Sequence, residues 1–291
     1  MSSQITTSFV EQYSSNVALL SQELGSKLRS SVDVETIVGS SAYFEQIGAT
    51  AASLRTSRHG DTPQVDTPTS RRKLSLADYE WADLIDDQDK VRALVDPTSI
   101  YARNAAAAMN RAMDDVVITA MNASALTGVA GGTSTALPST QKFATSDQSD
   151  GLSVAKLLAA KKNFDDNDID PSRKRYIVVG PQQIADLLAI TQVTSADYNT
   201  VKALAQGEIN SFLGFEFITS TRLNMDATYT TDRLCFAYTE DAIKLAIGKD
   251  VSSKISERAD KSYSTQVYYC MSLAAVRMEE KAVFQIPCHE A

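Results

Sequence analysis

Residues 96–124, DPTSIYARNAAAAMNRAMDDVVITAMNAS, carry the longest helical pattern in the chain. Asp96 suits an N-cap, and Pro97 suits the first helical position, where its missing N–H costs nothing. Apolar side chains recur at Tyr101, Ala105, Ala108, Met109, Ala112, Met113, Val116, Val117, Ala120 and Met121. That spacing draws one continuous face on a 3.6-residue helix. At 1.5 Å per residue the helix spans roughly 40 Å. Its alanines permit close approach to a sheet or a second helix, so the segment reads as a strut rather than a site.

Upstream, residues 1–44 read as an arm rich in Ser, Thr and Gln. Phe9, Tyr13, Val17, Leu20, Leu24 and Leu28 form a single helical stripe, which needs another surface to cover it. Residues 45–77 form a long connection whose tip, RTSRHGDTPQVDTPTSRRK, is too long and polar for an ordinary loop. Alternation at Gln64-Val65-Asp66 and Lys73-Leu74-Ser75-Leu76 points to an extended two-stranded ribbon, with a disordered surface loop as the competing reading. Charge then reverses. Arg55, Arg58, Arg71, Arg72 and Lys73 face only Asp61 and Asp66 within their block, whereas Asp78, Glu80, Asp83, Asp86, Asp87 and Asp89 follow with no base among them. Opposed blocks suit head-to-tail contact between identical copies, and they suit pairing within the chain equally well.

Downstream, residues 124–151 form a Gly/Ser/Thr-rich loop or irregular strand pair. A second helix is expected at about 153–166. Tyr176–Val179 reads as a buried strand, and Pro181 opens a helix through Leu188. Leu213-Gly214 turns into a strand at Phe215–Ile218, and Leu234–Tyr238 is another. Val251–Arg258, Thr265–Leu273 and Ala282–Ile286 are strand-like, a β-rich tail expected to close on the long helix.

The composition argues against most chemistry. The formal charge is −8, so the average field does not attract nucleic acid, and any DNA contact must be local. Cys235, Cys270 and Cys288 have no metal-ligand spacing, and the first two lie in apolar runs expected to bury free thiols, which fits a reducing cytoplasm. Neither a secretory signal nor an apolar run long enough for a membrane span is present. Phosphate-cradling, dinucleotide, nucleophile-elbow and zinc-protease motifs are all missing. A catalytic imidazole would have to be His59, in a loop tip, or His289, near the chain end, and neither place favours an oriented side chain. Asp86-Asp87-Gln88-Asp89 and Asp165-Asp166-Asn167-Asp168 lack the glycine and the distal Glu of a calcium loop, so both read as solvated faces. A metal-dependent enzyme using Asp86, Asp87 and Asp89 is the third-ranked reading. The expectation is no catalytic residue, no cofactor and no metal.

Several blocks, taken in order, resemble tailed-bacteriophage major capsid proteins of the Hong Kong 97-type fold, especially the short-tailed phage family. ITTSFVEQYSSNVALLSQELGSKLRSSV resembles the N-terminal arm. TPQVDTPTSRRKLSLADYEWADLIDDQDK, running on into the alanine-rich helix, resembles the extended loop and spine helix. RYIVVGPQQIADLL and GEINSFLGFEFITSTRLN resemble the axial domain, and the closing strands resemble the peripheral sheet. The resemblance implies an α+β fold with an arm at 1–44 and an extended loop (E-loop) at 45–90. It places a peripheral domain at 91–150 and 246–291, with a spine helix at about 97–124, and an α/β axial domain at 151–245. It implies a subunit that assembles into pentamers and hexamers of an icosahedral shell around double-stranded DNA. No long charged prefix is present, which points to a separate scaffolding protein, with a portal, or to a prefix already removed. Assembly in the bacterial cytoplasm is expected. Candidate inter-subunit contacts are Arg55, Arg58, Arg71, Arg72, Lys73, Asp83, Asp86, Asp87 and Asp89. Lys73 lies in the E-loop region, but no cross-linking partner is identifiable. An encapsulin-like compartment shell is the alternative.

Overall fold

The alanine-rich stretch forms helix α1, Thr98–Asn122. Asp96 and Pro97 lie outside the described residues, which in this computed structural model are 22–62, 64–86, 98–143, 150–190, 211–227 and 229–290. The buried line along α1 runs through Ala105, Met109, Met113, Val117 and Met121, as the spacing predicts. Ala107, Asp114 and Ile118 are buried as well, beside that line, while Ala108, Ala112 and Val116 stay partly exposed.

Two compact units share the chain. One comprises residues 1–26, 78–112 and 249–272; the other comprises 27–77, 113–248 and 273–291. The smaller unit holds β4 (Ala77–Ile85) and the outer parts of β11 (Ile243–Arg258) and β12 (Ser264–Arg277), in the order β11-β12-β4. Here Val267 and Met271 are buried, whereas Ser252, Tyr268 and Ser272 belong to a polar face. The hairpin between β11 and β12 turns through Ser262 and Tyr263, both at positive φ (51° and 60°).

The larger unit contains a five-stranded sheet ordered β13-β10-β7-β9-β8, built from Val283–His289, Asp232–Thr239, Arg175–Val179, Phe215–Thr219 and Ser211–Phe212. β7 is buried along its whole length, with β10 antiparallel on one side and β9 parallel on the other. A strand covered on both faces reads as a continuous apolar run, hence Tyr-Ile-Val-Val. Helix α2 (Val154–Asp166) starts at Ser153, whose hydroxyl accepts from the Lys156 amide, and helix α3 (Pro181–Ala189) starts on Pro181. Leu213 and Gly214, both at positive φ, make the two-residue turn that joins β8 to β9.

A second sheet, ordered β2-β3-β5-β6, forms the base of a ribbon from Ser41–Ile47, Thr69–Ser75, Ala125–Thr127 and Thr133–Thr135. Its core is Ile37, Phe44, Leu74, Ala125, Ala246, Val276 and Met278. Gly131, at φ +69°, has the Lys73 side chain packed on it so closely that a Cβ would lie 2.3 Å from Cδ. β1 (Asp33–Thr36) runs parallel to β11 at Lys244–Ile247, where Lys244 bridges Asp33 and Glu35.

Three expectations need correction. Ala282–Ile286 was expected with the peripheral strands at 246–291, but β13 instead pairs with β10 across seven positions of the five-stranded sheet. Gln64-Val65-Asp66 is not a strand. The ladder begins at Thr69: next to it the Gly48 amide donates to the Pro68 carbonyl at 2.7 Å, and Pro68 has no N–H with which to continue the pairing. Leu24 and Leu28 lie in a stretch without α-helix, only a 3-10 turn at Arg29–Ser31, while Phe9, Tyr13, Val17 and Leu20 fall outside the described residues.

That stretch is pinned by a residue the periodicity does not flag. Asp114 is 2% exposed, and its two oxygens accept from the Lys27 and Leu28 amides at 3.1 and 3.2 Å. Leu28 is fully buried, and the Ser31 hydroxyl meets the Tyr238 hydroxyl at 2.6 Å. Asp114→Ala orphans both amides, which costs about 3 kcal/mol. It is expected to lower the melting temperature by roughly 6–12 °C. Asp114→Asn keeps one acceptor and should lose less, and calorimetry of both variants checks the ranking.

Candidate interaction surfaces

The basic block does not behave as one surface. Arg55 and Arg58 sit in the exposed tip between β2 and β3, where the Arg55 guanidinium donates to the carbonyls of Ser57 and Arg58. The β2–β3 register places Arg71 opposite Glu45, and the two form an ion pair. Arg71 and Lys73 also lie over the Tyr43 ring, at 5.4 and 5.9 Å.

Arg72 points the other way, as alternation along a strand requires. It is 6% exposed, places Nη2 2.7 Å from both Glu280 oxygens, and donates from Nε to the Met278 carbonyl. Arg72 therefore leaves the set of neighbour-facing candidates. Removing one partner of such a buried pair typically costs about 3–5 kcal/mol. Gln46 donates to the same Met278 carbonyl at 2.6 Å.

The acidic block is satisfied locally by hydroxyls. On β4, Asp78 accepts from Ser272 and Glu80 from Tyr268 (3.1 Å), while Asp83 accepts from the Leu84 amide; just after the strand, Asp86 accepts from Ser264. Asp87 and Asp89 lie outside the described residues. Apolar side chains are exposed along the ribbon and its tip: Ile47 at 78%, Leu54 at 88% and Val65 at 47%. An apolar ribbon with a basic tip has surface to offer a partner.

No group of three or more metal-ligating side chains occurs among the described residues. His289 is better placed than its position near the chain end suggests. Its Nδ1 lies 3.0 Å from the carboxylate of buried Asp232, because β13 pairs His289 directly with Asp232. Beside it, Glu290 forms an ion pair with Arg233 and accepts from Gln183, so the chain end is fastened to the sheet. The Arg233 guanidinium holds the Glu290 carboxyl below its usual range.

The cysteines divide differently from expectation. Cys235 and Cys288 are buried, and contact with Cys288 together with burial pushes the Cys235 thiol well up. Cys270 is only half-buried. Its sulfur lies 3.2 Å from the Ser252 hydroxyl and 3.1 Å from the Lys249 ammonium, and those donors pull the thiol below its usual range. A paired strand, not the apolar run, decides this, since Lys249 and Ser252 lie about twenty positions away in sequence.

This mixed helix-and-sheet chain has the Hong Kong 97-type fold, as its likeness to solved phage capsids shows. The capsid protein of the cyanophage P-SCSP1u is similar, at 16% identity and a TM-score of 0.75 over 99% of this chain and 95% of that one. The cyanophage Pam1 capsid (12% identity, TM-score 0.73, 98% and 97% covered) and the Ralstonia phage GP4 capsid (9% identity, TM-score 0.72, 98% and 96% covered) share the fold. Comparison with curated proteins yields no match. Residues 5–290 match the phage capsid protein family, and the chain belongs to that family.

Two measurements test the local chemistry. Cys270 should alkylate with iodoacetamide well before Cys235 and Cys288, and Lys249→Met should slow it several-fold near pH 7; peptide mapping against time reads both. At the β11–β12 hairpin, a hydrogen bond from Arg258 lowers the Asp260 carboxyl from 3.8 to about 2. Because the folded value is depressed, this pair supports the hairpin above about pH 4 and is lost as pH falls through about 2. Carboxyl NMR titration should place Asp260 there and return it toward 3.8 in Arg258→Ala.

Proposed function

We propose that this chain is the major capsid protein of a tailed bacteriophage. In this reading it builds pentamers and hexamers of an icosahedral shell that encloses double-stranded DNA and has a structural, non-catalytic role. The single observation that carries it is the family match across residues 5–290. The relatives named above are phage capsids, which favours this reading over an encapsulin-like compartment shell. A separate scaffolding protein, a portal and assembly in the host cytoplasm complete the proposal. DNA is enclosed without sequence-specific contact, as the formal charge of −8 favours.

Within the subunit, the five-stranded sheet with α2 and α3 serves as the axial domain. The strands of the smaller unit with α1 serve as the peripheral domain, and β2–β3 with its tip serves as the E-loop. Contacts between copies use Arg55, Arg58, Arg71 and Lys73 on the ribbon and Asp83, Asp86, Asp87 and Asp89 on the acidic side. Arg55 and Arg58 are the strongest of these, being exposed, with the Arg55 guanidinium donating to the Ser57 and Arg58 carbonyls of its own loop.

Expression with the scaffolding protein should give closed particles of megadalton mass by electron microscopy; monomers alone would refute the reading. Arg55→Glu with Arg58→Glu should leave the subunit's circular dichroism unchanged and reduce particle yield severalfold. Unchanged yield would remove the electrostatic role of the tip.

A further inference from the structure

We propose that Cys270 and Lys249 are a cross-linking pair: on oxidation by a peroxide their side chains join through a sulfur–nitrogen bond that staples β11 to β12. This goes beyond the shell-building role and does not depend on it. Both residues lie in the smaller unit, on strands that are neighbours in its sheet. The Cys270 sulfur is 3.1 Å from the Lys249 ammonium and 3.2 Å from the Ser252 hydroxyl. Cys270 is half-buried and Lys249 is exposed, so a small oxidant reaches both.

Two features set this cysteine apart from Cys235 and Cys288. Those two are buried, whereas the donors around Cys270 pull its thiol below the usual range and so favour the thiolate, the form that attacks a peroxide. The second feature is the neighbour. The group in contact with the Cys270 sulfur is an amine, not a second thiol. An oxidised sulfur persists only until a nucleophile reaches it, and a nitrogen can serve as that nucleophile. Lys249 is already at contact distance from an adjacent strand, so the second step needs no encounter through solution.

The reaction runs in two steps. The Cys270 thiolate attacks hydrogen peroxide; an S–O bond forms, the O–O bond breaks, and hydroxide leaves. The sulfur is oxidised by two electrons to a sulfenic acid, and the peroxide is reduced. The neutral Lys249 amine then attacks that sulfur. An N–S bond forms, the S–O bond breaks, and the hydroxyl leaves as water with a proton from the nitrogen. One thiol, one amine and one peroxide thus give one sulfenamide and two waters. The product ties together residues on two strands that otherwise share only non-covalent contacts.

The test treats the full-length chain with hydrogen peroxide at about pH 9, where a usable fraction of lysine amine is neutral. Peptide mapping by mass spectrometry is expected to find the Lys249 and Cys270 peptides joined, with a loss of about 2 Da, the two hydrogens removed. Dithiothreitol should separate them again. Lys249→Arg keeps a positive charge beside the thiol and removes the amine. In that variant Cys270 should still oxidise before Cys235 and Cys288, and the joined peptide should be absent. A contact that is only a hydrogen bond gives a different result: Cys270 ends as a sulfinic acid, or bonded to another cysteine, with Lys249 free. That result overturns the proposal, as does a Cys270 that stays reduced, or a 2 Da loss at Cys270 that survives in Lys249→Arg.

Discussion

The larger unit depends on one guanidinium. An α-helix ends with carbonyls that have no partner within the helix. At the end of α1, Arg277 supplies donors to Met121 and to Ala123 just beyond it, and a further donor reaches Thr135 on β6. A guanidinium spreads its donors over separate nitrogens in one rigid plane, which suits carbonyls fixed on different elements better than the single nitrogen of a lysine. The helix end, the β5–β6 hairpin and the last residue of β12 are thereby held at one point. The chain then turns at 278–282 into β13, which enters the five-stranded sheet.

The same turn receives the ribbon. Gln46 and Arg72 both donate to the Met278 carbonyl, and Arg72 also holds Glu280. The base of the ribbon is thus fastened by directional polar bonds beside a small apolar cluster, while its far end carries exposed Ile47, Leu54, Arg55 and Arg58. That division suits an element with a fixed root and a free end. Asp114 does the corresponding work for the segment leading into β1, by accepting two backbone amides from a buried position on α1.

Much of the architecture was legible from periodicity and local signals. The alanine-rich stripe placed α1, Pro181 placed α3, the β-branched run at 176–179 placed the central strand, and Leu213-Gly214 placed the turn before β9. The charge reversal between residues 55 and 89 marked two opposed surfaces without foretelling the strand at Ala77–Ile85. It did not say which charges are free, because alternation sends Arg71 to the surface and Arg72 inward, and neighbours in sequence look alike.

By itself, the sequence determined the types and order of most elements, the absence of familiar catalytic motifs, and the block order that resembles a capsid subunit. These follow from short-range rules: helical and strand periods, proline and glycine constraints, and motif spacing. Tertiary structure alone decided that β13 joins β10, that Asp114 binds amides 86 and 87 positions away, that His289 is oriented by Asp232, and that Arg72, Arg277 and Glu280 meet. Those outcomes depend on strand pairing and on partners for buried polar groups across long separations, and no local pattern encodes which distant residue will supply the bond.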